Sequence, residues 1–281
     1  MGNSSITRAR QEFHCTLLEK TLTKDNDGRP SNADRSSVIS ISLATEILKR
    51  LGPSITGPKL PGQTSGSHFE IVCQRFVEVC FQQLSHLRPG NFVVYPGRDI
   101  SRFDQYSHLA TLEKIAESHR EFATSIGSDY IIKPDIIVAR KPEPDRSFNT
   151  FAQVLDKNSA NLTSLRKANQ ELEILHASIS CKWTIRSDRA QNSRSEALNL
   201  VRNRKGKQPH IAVITAEPTP NRISSLALGT GDIDCVYHFA LNELRDSLIS
   251  LRRDDSLDLL DSMIEGKRLR DISDLPIDLI T

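Results

Sequence analysis

Apolar positions along the chain follow a helical spacing in several segments. From His68 to Leu87 they recur every three or four residues, which predicts a long amphipathic helix with Glu70 near its start. The segment before it, GPKLPGQTSGS, is rich in turn-forming residues, so Gln63 is expected on a loop. Further helices are predicted near residues 9–20, 40–51, 107–124, 188–203 and 240–252.

Short apolar runs between these helices predict strands. They cover residues 92–95, 130–139, 175–183, 210–216 and 234–239. Strands that alternate with helices favour a mixed α/β fold, with a central sheet flanked by helices. The polar first forty residues are typical of an arm or loop layer, and we expect a single domain over residues 1–281.

Composition excludes some classes of protein. No apolar run approaches the roughly 18 residues that a membrane helix needs, so no membrane partner is expected. The first residues, MGNSSITRARQEF, do not have the pattern of a secretory signal, which favours a cytoplasmic location. The five cysteines are scattered without a CxxC pair, a pattern that argues against a zinc site.

Positive charge is concentrated between Lys182 and Lys207. This segment contains eight Lys or Arg residues against two acidic residues, although the whole chain carries a formal charge of only +2. On composition alone, a solvated helix face explains such a run better than a nucleic-acid contact does.

A set of residues suited to phosphodiester hydrolysis lies on two predicted strands. Asp135 follows a proline inside the first strand, and Lys182 closes the second. Ser180 and Lys182 share a strand face, and the Cys181 carbonyl between them is available to a metal ion. If the strands are neighbours, Asp135 and Lys182 can flank one cation. Each residue alone is weak evidence, since an Asp after Pro is usually a turn residue.

The residues after Lys182 suit recognition of G·C pairs. Arg186, Asp188 and Arg189 stand at the start of a predicted helix. An arginine bonds bidentately to guanine O6 and N7, and a carboxylate accepts from the cytosine N4 amino group. Asp188 is also suited to capping the helix N-terminus, where Ser187 competes with it, and the capping role is compatible with base contact.

Long segments of the chain resemble the CCGG family of type II (type IIF) restriction endonucleases. They are LPGQTSG, GSDYIIKPDIIV, LHASISCKWTIRSDRAQNSRSE, LNLVRNRKG, AEPTPNRISS and LGTGDIDCVYHFAL. The resemblance covers nearly the whole chain and implies a PD-(D/E)xK restriction-endonuclease-like fold. It also implies Mg²⁺-dependent hydrolysis of double-stranded DNA at GCCGGC, with a cut after the first G that leaves 5′-phosphate, four-base CCGG overhangs.

The resemblance also implies roles for the catalytic candidates, with two Mg²⁺ ions in each active site. It makes Asp135 the bridging carboxylate and the Cys181 carbonyl a further ligand, while Lys182 orients the attacking water. Glu70 matches an acidic residue that holds a metal-bound water in the family.

One position departs from the wider superfamily pattern. An acid usually stands two residues before the catalytic lysine, where this chain has Ser180. In the CCGG family the following helix supplies the missing carboxylate, and Glu196 occupies that place.

For base recognition, the resemblance assigns the inner CCGG pairs to Arg186, Asp188 and Arg189. It assigns the outer G·C pair to Asp34 and Arg222 in the major groove, and to Ser36 and Gln63 in the minor groove. Taken without the family match, Asp34, Ser36 and Gln63 are better explained as ordinary loop residues.

The partners follow from the palindromic site. Each half-site needs an equivalent reader, which calls for a twofold dimer, and the family implies a dimer of dimers. A cognate DNA methyltransferase is expected to act separately. Two alternatives stay open: a nuclease for another CCGG-core hexamer, and an inert sequence-specific DNA-binding protein. The joint presence of Asp135, Ser180, Lys182 and Glu196 favours the nuclease.

Overall fold

The structure is a computed structural model that describes residues 2–56, 61–118, 132–229 and 231–281, with only the backbone at residues 187–190. The chain divides into two compact units. Unit 1 comprises Met1–Leu84, Ile179–Arg194 and Ile211–Thr281, and unit 2 comprises Ser85–Ser178 and Ser195–His210.

Six strands of the described chain form a mixed sheet, and they lie side by side in sequence order. They are β1 (Phe92–Pro96), β2 (Ile136–Arg140), β3 (Ile174–Lys182), β4 (His210–Thr215), β5 (Cys235–His238) and β6 (Leu269–Asp271). β1 pairs antiparallel with β2, and β4, β5 and β6 run parallel. The predicted mixed α/β class is therefore confirmed, although β6 was not predicted. The strand predicted over residues 130–139 begins only at Ile136, so Asp135 precedes it and the expectation of Asp135 inside a strand was wrong; residues 130 and 131 lie outside the described residues.

Helices accompany these strands along the described chain. They are α1 (Ser5–Lys20), α2 (Val38–Leu51), α3 (Gly62–Gln83), α4 (Ser107–Ser118), α5 (Asp145–Phe148), α6 (Ser187–Asn203), α7 (Pro220–Ala227), α8 (Leu241–Ser250), α9 (Asp254–Glu265) and α10 (Leu275–Asp278). Residues 119–124, the end of one predicted helix, fall outside the description. None of the described helices is long and apolar enough to cross a membrane.

Capping and burial explain where the first helices of unit 1 form. The Ser4 hydroxyl accepts a hydrogen bond from the Thr7 amide at 3.2 Å and so caps α1. Phe13 on α1 is buried against Phe76 on α3, with ring centroids 5.4 Å apart. The N-terminal segment therefore contributes to the core of unit 1.

The start of α3 differs from the prediction. The helix begins at Gly62, so Gln63 lies in its first turn, and the expectation of a loop there was wrong. Ser65 and Phe69 are buried, and the Phe69 ring meets the Trp183 ring edge-on at 5.3 Å. This burial outweighs the cost of glycine within the helix, which is about 1 kcal/mol per residue.

In unit 2, polar side chains tie a turn to the sheet and to α6. The Gln105 amide donates to the Leu175 carbonyl at 2.8 Å and accepts from the Leu175 amide at 2.9 Å. The Tyr106 hydroxyl donates to the Leu200 carbonyl at 2.9 Å. These bonds satisfy buried polar groups that would otherwise destabilise the unit.

Candidate functional site

The end of β3 carries three of the predicted catalytic residues, all in unit 1. Ser180 and Lys182 are half-buried, and Cys181 between them is buried. The Lys182 carbonyl accepts from the Thr215 hydroxyl at 2.9 Å and from the Ala216 amide at 3.1 Å. The backbone at Lys182 is therefore fixed to the end of β4.

The predicted catalytic carboxylates lie on other elements. Asp135 directly precedes β2 and Glu196 lies on α6; both are half-buried and belong to unit 2. Glu70 is half-buried on α3, in unit 1. Within the described part of the chain, no three His, Cys, Asp or Glu side chains form a metal-holding group by themselves. Carboxylate and carbonyl oxygens are the donors that Mg²⁺ prefers, so each of these groups is chemically suited to that ion.

Two residues far apart in the chain form an ion pair in unit 1. The Arg222 guanidinium donates through Nη2 to Asp34 Oδ2, and Asp34 Oδ1 accepts from the Ser36 hydroxyl at 2.7 Å and amide at 3.0 Å. The Ser36 hydroxyl and the Arg222 guanidinium hold the pKa of Asp34 well below its usual range. Asp34 is therefore ionised across the physiological pH range.

Two open pockets adjoin this ion pair. The smaller has a volume of about 250 Å³ and the larger about 600 Å³, and Asp34, Arg186 and Arg222 line both. Ser36 lines the larger pocket, and Trp183 lines the smaller. The structure thus brings together four of the predicted DNA-binding residues, which come from three separate segments of the chain.

The other predicted DNA-binding residues are less fully described. Gln63 is exposed in the first turn of α3, next to Gly62, which lines the smaller pocket. Asp188 and Arg189 belong to the first turn of α6, but their side chains lie outside the described residues. Because α6 begins at Ser187, Asp188 lies inside the helix, beyond the N-cap position.

Sequence reasoning missed one residue behind these pockets. Glu217 is fully buried, and its Oε2 accepts from the Ile185 amide at 2.9 Å and lies 3.8 Å from Arg222 Nη1. The available signal was a glutamate immediately after the apolar run HIAVITA, where a buried charge requires partners.

Two sequence comparisons with known proteins agree with each other. The family model described as NgoMIV restriction enzyme matches residues 13–281. Type II restriction enzyme NgoMIV from Neisseria gonorrhoeae is 53% identical over 283 residues, which cover 99% of this chain and 99% of that protein. A solved structure, a restriction endonuclease PspGI-substrate DNA complex, aligns with 98% of this chain and 90% of that chain, at 17% identity and a TM-score of 0.34. That structural likeness is too weak to support an argument of its own.

Proposed function

Because the chain belongs to the NgoMIV restriction enzyme family and is therefore a type II restriction endonuclease, we propose that it cleaves double-stranded DNA at GCCGGC. The cut falls after the first G of each strand and leaves 5′-phosphate ends with four-base CCGG overhangs. The family assignment alone does not specify the target sequence, the cut position or the metal, so these three features are proposed.

The observation that carries the target sequence is the shared lining of the two pockets by Asp34, Arg186 and Arg222. Arginine reads guanine in the major groove and an ionised carboxylate reads the cytosine amino group, so this set suits G·C pairs. Arg222 and Asp34 are the proposed readers of the outer pair, assisted by Ser36 and Gln63. Arg186, with Asp188 and Arg189, is the proposed reader of the inner pairs.

The proposed catalytic residues would hold Mg²⁺ through oxygen atoms. The carboxylate of Asp135 and the carbonyl of Cys181 would be ligands, Glu196 would supply the carboxylate that Ser180 lacks, and Glu70 would hold a water of the ion. When bound, two Mg²⁺ ions supply the positive charge that stabilises the phosphoryl-transfer transition state. The Lys182 ammonium donates a hydrogen bond to the attacking water and orients it towards phosphorus, and Ser180 shares its face of β3.

The proposed assembly is a dimer of dimers on two palindromic sites. Each half of GCCGGC presents the same base edges, so a twofold pair of chains can read both halves with equivalent residues. A separate methyltransferase of the same specificity would protect the host DNA.

The test is digestion of a plasmid that carries two GCCGGC sites, with Mg²⁺ or with EDTA, followed by sequencing of the ends. Mg²⁺-dependent ends with a CCGG 5′ overhang are the expected result. Cutting at other CCGG-core hexamers would support the proposed hydrolysis but overturn the proposed roles of Asp34 and Arg222 at the outer pair. Specific binding without cutting would identify an inert DNA-binding protein.

Lys182→Ala is the matched variant for this test. Loss of the ammonium should reduce cleavage by about 10² to 10⁴-fold, the usual contribution of a positioned proton-transfer group. Site-specific binding in Ca²⁺ should stay within about twofold of the unaltered chain, as gel-shift titration would show. Retained cutting would remove Lys182 from the mechanism.

A further inference from the structure

Glu217 places a carboxylate in the buried interior of unit 1. It follows β4 directly, and its exposed fraction is 0%. Burial raises the pKa of Glu217, while hydrogen bonds from Thr219 and Ile185 oppose that shift. A buried carboxylate is costly unless donors surround it, so its partners indicate why it is there.

Each oxygen of this carboxylate meets at least one group that can only donate, a backbone amide in both cases. Oε2 accepts from the Ile185 amide at 2.9 Å and lies 3.8 Å from Arg222 Nη1. Oε1 accepts from the Thr219 amide at 3.2 Å and from the Thr219 hydroxyl. Ile185 immediately precedes Arg186, and Thr219 immediately precedes α7, the helix that carries Arg222.

The backbone of Glu217 is held as firmly as its side chain. Its amide donates to the Thr215 hydroxyl at 3.1 Å, and the same hydroxyl donates to the Lys182 carbonyl at 2.9 Å. Its carbonyl accepts from His238 Nε2 at 3.1 Å. The Ala240 amide donates to His238 Nδ1, which fixes the imidazole with its proton on Nε2. The carboxylate is therefore a fixed point.

We infer that Glu217 is a positioning residue for base recognition, which holds the backbone ahead of Arg186 and the guanidinium of Arg222 in one fixed relation. The inference rests on the proposed function, since Arg186 reads an inner pair and Arg222 the outer pair in that proposal. It adds a residue that contacts no base and yet sets the specificity at both positions.

The negative charge of Glu217 is essential to this role. In Glu217→Gln, the amide NH₂ would face a backbone N–H in either orientation, that of Ile185 beside Arg222 or that of Thr219. A donor would then meet a donor at one end, and that contact would open. The substitution keeps the volume of the side chain, so it tests the charge without creating a cavity.

Glu243→Gln provides the matched control. Glu243 is a half-buried carboxylate of the same unit that pairs with Arg10, away from the residues that line the two pockets. A general loss of stability should affect both Glu→Gln variants. A change in base discrimination should appear only at position 217.

The experiment measures binding in Ca²⁺ to three duplexes: GCCGGC, the same site with its outer pair exchanged, and the same site with one inner pair exchanged. Glu217→Gln should reduce both discrimination ratios by about tenfold, within the range that one bidentate contact contributes. Glu243→Gln should leave both ratios within about twofold of the unaltered chain. Unchanged ratios in Glu217→Gln, or an equal loss on all three duplexes, would overturn the inference.

A second measurement does not depend on the folding of Glu217→Gln. If one carboxylate holds both readers, losses in Arg186→Ala, Arg222→Ala and the double variant should depart from additivity by about threefold or more. Additive losses would overturn the role of Glu217. Absence of any preference for GCCGGC in the unaltered chain would instead overturn the proposed function, so the two failures are distinguishable.

Discussion

Two arginines in unit 1 each lie between two carboxylates, and they differ in how their donors are used. Arg10 bonds Asp271 through Nε and Nη2 and Glu243 through Nη1 and Nη2, at 2.6 to 2.9 Å. Arg222 bonds Asp34 through Nη2 and approaches Glu217 through Nη1 at 3.8 Å. Within the described residues, Nε of Arg222 meets no acceptor.

The exposed fractions agree with this difference. The Arg10 side chain is 16% exposed and the Arg222 side chain 35% exposed. Arg10 uses its donors to clamp α1 to α8 and β6, so it stabilises the fold. Arg222 is oriented by its carboxylates and keeps donors for a ligand. The same ion-pair chemistry thus serves as a clamp where the guanidinium is saturated, and it leaves donors for the proposed base contact where it is not.

The largest expected effect tests the clamp. Arg10→Ala should lower the free energy of unfolding by about 3–5 kcal/mol, because the buried carboxylate of Asp271 and the half-buried carboxylate of Glu243 lose their shared partner. Urea denaturation monitored by circular dichroism would measure it. Cleavage per folded molecule should not change. A loss below about 1 kcal/mol would show that the Arg10 network contributes little.

Low pH should lower the free energy of unfolding, because a buried histidine adjoins each of the two arginine–carboxylate groups. Burial lowers the pKa of His238 from 6.5 to about 4, and burial also lowers the pKa of His14, which bonds the Phe239 carbonyl. Between pH 6.5 and 4 the unfolded chain binds more protons than the folded chain, so the free energy of unfolding falls as the pH falls.

For His238 alone, this linkage amounts to about 3 kcal/mol, at about 1.4 kcal/mol per pKa unit. Denaturant titrations from pH 7 to pH 4 would measure it, with His238→Gln as the comparison. The curve of that variant should be flatter than that of the unaltered chain over this window. Parallel curves would contradict the lowered pKa of His238 as the cause of the pH dependence.

Arg222→Ala should weaken specific DNA binding more than folding stability, the reverse of what is expected for Arg10→Ala. Specific binding should weaken by about 1–3 kcal/mol at the outer pair, the value of one guanine contact. The loss of folding stability should be smaller than for Arg10→Ala, because Glu217 retains its bonds from Ile185 and Thr219. Equal losses on specific and random DNA would make Arg222 a phosphate anchor.

Ser36→Ala should have the smallest effect. The hydroxyl donates to Asp34 at 2.7 Å, and one such bond contributes about 0.5–1.5 kcal/mol. Removing it should reduce the preference for the outer G·C pair by less than about tenfold. Binding titrations on the outer-pair duplexes would show this, and a larger loss would indicate that the DNA contact proposed for Ser36 contributes more than its bond to Asp34.

Periodicity predicted the long apolar elements well and the boundary at Gln63 poorly. β2, whose residues Ile136 to Ala139 are all buried, was evident as a continuous apolar run. α3 starts earlier than its turn-forming sequence suggests, because the burial of Phe69 against Trp183 is a tertiary contact. β6 has three residues, too few for a strand period to be read.

The family resemblance named residues that the structure brings together around the two pockets, but it did not name Glu217 behind them. Asp34 and Arg222 are 188 residues apart, and only the family resemblance placed them together before the structure did. Glu217 carries no sequence signal of its partners, since the donors that surround it come from Ile185, Thr219 and Arg222. Residues of this kind emerge only when the chain is folded.

The bond from the Thr215 hydroxyl to the Lys182 carbonyl has a consequence for how new specificities arise in this enzyme family. The same short stretch of backbone, Thr215 to Thr219, contacts the lysine assigned to cleavage and supports two of the arginines assigned to reading, Arg186 and Arg222. A substitution of one of these arginines therefore disturbs a backbone stretch that also positions the other arginine and the lysine. We expect single exchanges to yield weaker enzymes for the old target, and new targets to require coordinated changes around this stretch.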